Sequence, residues 1–106
     1  MSTRDMIFRI KYPRIKKELI PYYTTAEDAL IDAGFNCVFS DHFGTGFELN
    51  INDKNYLVAP DHVQFARYRI CNLTDSYVPY NNSTLVETIE KLTAIKDGVI
   101  LYPTDD

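Results

Sequence analysis

The stretch from Gly46 to Pro60, GFELNINDKNYLVAP, constrains the fold of this chain more than any other. Phe47, Leu49 and Ile51 alternate with Glu48 and Asn50, the period of two that marks a strand with one buried face. Asn52-Asp53-Lys54-Asn55 then supplies the turn-forming residues of a hairpin, so two antiparallel strands are expected here. Pairing Asn52 with Asn55 across a two-residue turn would set Thr45 opposite His62 and bring His42 and His62 toward the same open end of the hairpin.

The hairpin sits in a longer run of strand-like segments, NCVFS before it and VQFARYRICN after it, which together read as a meander. In the last of these Ala66, Tyr68 and Ile70 share the predicted inner face, leaving Arg67 and Arg69 on a basic outer face. Near the N-terminus Phe8, Ile10 and Tyr12 alternate with Arg9 and Lys11 and predict another strand, although Met6, Ile7 and Ile10 also fit a short helix. Thr24 with Glu27 forms a possible capping box for a helix over 25–33 that stops at Gly34. The segment TDSYVPYNNS reads as a polar loop. After it Thr84 and Glu87 cap a second helix over 84–96, whose stripe of Leu85, Ile89, Leu92 and Ile95 faces the core. VILYP reads as a closing strand. The expected fold class is α+β, one small domain over residues 1–106 with an antiparallel β-meander packed against two helices, in the order β-α-β-β-β-β-α-β.

Composition agrees with a folded domain, since 45% of the 106 residues are hydrophobic and 25% charged, which is ordinary globular usage. Cys37 and Cys71 lie far apart and form no closely spaced pair, and the opening MSTRDMIF lacks the apolar core of a secretory signal. Those two features predict a reducing, cytoplasmic setting, the host cytosol if the chain is phage-encoded. Asn72-Leu-Thr74 and the overlapping Asn81-Asn-Ser83 and Asn82-Ser-Thr84 match the glycosylation pattern but read as loop-forming polar residues. No apolar run approaches the roughly 20 residues that cross a bilayer, and no membrane association is expected.

Charge is divided unevenly along the chain. Residues 1–20 form a basic N-terminal segment with six basic and two acidic side chains, a balance of +4, whereas the remainder has five basic and thirteen acidic side chains, a balance of −8. Such asymmetry suits a nucleic-acid arm, an acidic docking face, or merely two solvated surfaces with unequal counts.

Both histidines follow an aspartate, as Asp41-His42 and Asp61-His62. Successive strand residues point to opposite faces, so one Asp-His pair does not converge on one ion in a regular strand, and turn chemistry accounts for the aspartates. A metal or acid-base site at His42 and His62, or a thiolate pair of Cys37 with His42, is the minor reading. Phe43-Gly-Thr-Gly-Phe47 lacks the lysine and hydroxyl residue of a phosphate-binding loop. Neither a cofactor nor a metal is expected.

Eight tyrosines remain to be accounted for, of which Tyr77 and Tyr80 stand in the predicted polar loop. Tyrosine gives large contact area at small entropic cost. Together with the acidic body they point to a non-catalytic protein-binding module, a stoichiometric inhibitor or modulator of nucleic-acid-handling machinery of the kind encoded by phages or other mobile elements. Its partner would be a protein with a basic surface, contacted through Glu27, Asp28, Asp32, Asp75, Tyr77 and Tyr80. In size, acidity and lack of a catalytic motif the chain resembles phage-type inhibitors such as anti-CRISPR proteins, a resemblance of character that covers no motif. The alternative is a nucleic-acid-binding accessory protein using Arg9, Lys11, Arg14, Lys16 and Lys17 with Arg67 and Arg69. A small histidine-dependent enzyme comes third.

Overall fold

A computed structural model describes residues 2–41, 45–61 and 63–99. The fold is α+β: five antiparallel strands in the order β1-β2-β3-β4-β5 with three helices. The strands are β1 (Val38–Ser40), β2 (Gly46–Ile51), β3 (Lys54–Pro60), β4 (Tyr68–Asn72) and β5 (Tyr77–Ser83), each paired with its chain neighbour. The helices are α1 (Thr3–Lys11), α2 (Ile20–Asp32), preceded by a 3-10 turn at Lys17–Leu19, and α3 (Leu85–Lys96).

The hairpin forms with Asn52 and Asp53 at its tip, both at positive φ (53° and 66°), the backbone of a type I′ turn. Ile51 faces Lys54 and Phe47 faces Val58, so every β2 residue pairs two positions earlier in β3 than a turn centred between Asn52 and Asn55 would give. A shift of two leaves each side chain on its expected face. Phe47, Leu49, Ile51, Tyr56, Val58, Tyr68 and Ile70 are buried and form one core with Ile20, Tyr23 and Leu30 of α2 and Leu92 of α3. Gly46 is required by a close approach, because a Cβ there would stand 2.4 Å from the Val58 carbonyl oxygen. Ala66 falls outside β4 at a φ of 62° and is exposed, and the buried residues of that strand are Tyr68, Ile70 and Asn72.

Three sequence expectations give way to stronger local effects. The N-terminal segment is a helix: Ser2 caps it by accepting from the Asp5 amide at 3.1 Å, and Phe8 and Tyr12 lie one turn apart with ring centroids separated by 4.8 Å. Ile10, between them in the two-residue alternation, is 78% exposed. Helix α2 starts at Ile20 rather than near residue 25, because Pro21 falls in its first turn, where a missing N–H costs nothing. Thr24 is therefore inside the helix, donating its hydroxyl to the Ile20 carbonyl and to Asp5, and the expected capping box does not form. The predicted polar loop is largely β5, an edge strand with register shifts and Asn82 at a φ of 62°. Its turn is set by Asn72 and Asp75: the Asp75 amide donates to Asn72 Oδ1 at 2.9 Å and Asn72 Nδ2 donates back to Asp75 at 3.1 Å.

Helix α3 follows the sequence closely. The Thr84–Glu87 capping box closes in both directions, and Leu92 is fully buried with Leu85, Ile89 and Ile95 packed around the core. Gly34 and Gly98, at φ of 90° and 77°, end α2 and α3; the following amides of Phe35 and Val99 donate back to Leu30 and Ala94. The segment VILYP, apart from Val99, lies outside the described residues.

Candidate binding cleft at the N-terminal face

The acidic candidates divide between α2 and the β4–β5 turn, and most are already engaged. Arg4 of α1 reaches across to α2 and pairs with Glu27 and, at 2.8 Å, with Asp28. Asp75 pairs with Lys54 at 2.6 Å, and the hydrogen bond from that ammonium is the largest cause holding the carboxyl below its ordinary range. Asp32 is exposed at the end of α2 and makes no ion pair among the described residues. Tyr77 is exposed at the start of β5, whereas Tyr80 is buried against the core with the Lys91 ammonium 4.6 Å from its ring centroid. The six residues thus do not assemble into one free acidic-aromatic surface.

The basic candidates behave differently. Arg9, Lys11, Arg14, Lys16 and Lys17 are exposed, and none forms an ion pair with a described residue. Arg67 stands apart, 3.7 Å from Glu87 at the start of α3. Arg69 lies half-buried on the reverse face of the sheet, opposite Ala59, with its Nε enclosed and lacking a hydrogen-bond partner.

Three of the five free cations border a cleft of about 470 Å³. Its shape follows from the sequence Tyr12-Pro13. Proline disfavours helical geometry in the residue before it, and Tyr12 leaves α1 at φ −128°, ψ 69°. The chain then turns through residues 13–16, with the Ile15 amide donating to the Tyr12 carbonyl at 3.3 Å, before the 3-10 turn leads into α2. Lys11 at the end of α1 and Arg14 and Lys16 on this bend line the cleft together with Tyr12, Tyr23 and Phe39. The floor is an aromatic cluster: Tyr12 and Phe39 have centroids 4.2 Å apart, and Phe8 and Tyr23 meet Phe39 edge-on at 5.3 and 5.8 Å. The Tyr23 hydroxyl donates to the Thr45 carbonyl at 3.4 Å, and burial pushes its pKa up, which keeps it a neutral donor. Asp41 is the one carboxylate among the described residues lining the cleft.

Other chemistry has less to stand on. His42 and His62 lie outside the described residues. Asp61 accepts from the amides of Val63 at 2.8 Å and Gln64 at 3.1 Å, the turn geometry expected of it. Among the described residues no three of His, Cys, Asp and Glu gather as metal ligands. Burial raises the pKa of both thiols, with Glu27 adding to the effect at Cys37 and Arg69 offsetting part of it at Cys71, which disfavours the thiolate form. No helix of the described residues is long and apolar enough to cross a membrane.

One further feature escaped the sequence. On α1, Met6 and Ile7 are each 53% exposed and Ile10 78%, an apolar stripe outside the core. Reading the segment as a helix would have separated Phe8 and Tyr12, facing inward, from Met6 and Ile10, facing outward, and placed the cleft beneath Tyr12. No family model, curated protein or solved structure matches this chain.

Proposed function

We propose that this chain is a non-catalytic binding module that engages nucleic acid through its N-terminal face. The observation that carries this reading is that Arg9, Lys11, Arg14, Lys16 and Lys17 are exposed with no acidic partner among the described residues, while Arg4 pairs with Glu27 and Asp28 of α2. An overall charge of −4 does not oppose this, because an exposed cationic patch acts at short range while more distant charges are screened beyond about 8–10 Å. Phosphate contacts of this kind release counterions, so the affinity for a short single strand should fall steeply as sodium chloride rises, with a log–log slope of roughly −3.5 if all five cations engage. Fluorescence anisotropy of a labelled strand checks this. Absence of binding at low salt would refute it.

The exposed stripe of Met6, Ile7 and Ile10 favours a second reading, a protein-binding modulator of nucleic-acid-handling machinery such as phages and other mobile elements encode. On that reading Ile10→Ser releases a captured protein partner without changing nucleic-acid affinity. If Ile10→Ser weakens nucleic-acid binding instead, the stripe belongs to the nucleic-acid interface.

A further inference from the structure

The geometry points to the cleft beneath Tyr12 as the seat of one unpaired nucleobase, with the adjoining phosphates held by Lys11, Arg14 and Lys16; this rests on the nucleic-acid reading above and specifies the form of strand it takes. A basic surface alone attracts duplex and single strand alike, because both present phosphates. This surface has a second component that a duplex cannot use. The cleft volume of about 470 Å³ falls within the roughly 300–1,000 Å³ of small-molecule sites. Its floor of Tyr12 and Phe39 is half-buried and aromatic, which suits a planar base, since base–aromatic stacking tolerates any sequence and needs only an accessible π-face.

Bases in a duplex are stacked and paired, so reaching such a floor requires unstacking, whereas a single strand can turn one base inward at little cost. The lining supplies matching charge, with Lys11 at the end of α1 and Arg14 and Lys16 on the bend that follows, none of them engaged by a described carboxylate. Asp41 adds one acceptor at the lining, suited to the exocyclic amine of cytosine. The site therefore combines a stacking platform with a short phosphate track, the two parts that single-strand binders share.

Three probes of equal phosphate number separate the parts: a short cytidine oligomer, the same backbone with abasic residues, and a short duplex. On the native chain the cytidine oligomer should bind roughly 5- to 150-fold more tightly than the abasic strand, the range that one stacked base contributes. Tyr12→Ala should remove that difference, while Lys16→Gln should weaken both strands alike. The native comparison needs no variant, so it decides the matter even if Tyr12→Ala fails to fold. Equal binding of the cytidine and abasic strands would overturn the base-in-cleft assignment and leave the nucleic-acid reading standing. Failure of all three probes to bind would overturn both.

Discussion

The N-terminal face and the sheet with α3 differ in how their basic side chains are held. In the body, Lys54 meets Asp75, Arg67 meets Glu87, and Leu92 of α3 is sunk into the core with Leu85, Ile89 and Ile95 packed against it. At the N-terminal face five cations go unpaired among the described residues, three large apolar side chains of α1 face outward, and aromatic rings line a cleft. The difference teaches that net charge is a poor guide to which charges a surface offers. The acids are the majority, but several of them are engaged by the fold, whereas the basic residues between 9 and 17 are unpaired among the described residues.

The sharpest way to break this comparison is to weaken the body and ask whether the N-terminal face survives. Leu92 is fully buried, so Leu92→Ala should lower the stability by about 2–5 kcal/mol in urea unfolding, through lost transfer energy and the cavity left behind. Under conditions where the variant remains folded, its affinity for nucleic acid should match that of the native chain. A loss near zero would show that α3 does not hold the core as its burial implies.

A smaller effect is expected at the contact between the regions. Arg4→Gln removes the partner of Glu27 and Asp28, but these groups are substantially solvated, so the stability should change by less than about 1 kcal/mol. Its binding consequence should be clearer, because two freed carboxylates then oppose the phosphate chain at low salt. An unchanged low-salt affinity in Arg4→Gln would contradict the role given to that pairing.

The smallest effect concerns pH. The carboxyl of Asp75 titrates below its ordinary 3.8 because of Lys54, so the unfolded state binds the proton more readily than the folded state. The contribution is therefore complete above the ordinary value and is lost as pH falls through the lowered folded value. Denaturation curves of the native chain and Asp75→Asn should differ at pH 6 and converge as the pH falls through the lowered folded value. A gap that persists in acid would assign the effect to the Asn72–Asp75 turn rather than to charge.

Much of the fold was legible where local and tertiary preferences agreed. The hairpin, the Thr84–Glu87 box and the stripe of α3 each satisfy a short-range rule and a burial pattern together. Misreading began where one pattern served two periods: Phe8, Ile10 and Tyr12 alternate in sequence, but Phe8 and Tyr12 also stand one helical turn apart, and the Ser2 cap with packing on α2 decides for the helix. That ambiguity hid the cleft, since its shape depends on where α1 ends. The acids of α2 were visible as carboxylates, but their pairing with Arg4 spans 23 residues and cannot be read from spacing. Likewise Tyr80 looked like a loop residue because the turn chemistry of Asn81-Asn-Ser83 masks an edge strand.

The central claim is that the cations left unpaired around residues 9–17 bind phosphate. Its most direct test measures the salt dependence of single-strand affinity for the native chain and for the combined variant Arg14→Gln, Lys16→Gln, Lys17→Gln, both checked for a native circular-dichroism spectrum. Removing three contacts should reduce the magnitude of the log–log slope by about 2, at roughly 0.7 per phosphate contact, with the weakest binding at the lowest salt relative to the native chain. Identical slopes and affinities for the two proteins would contradict the account, and the apolar stripe of α1 would then be the surface to pursue.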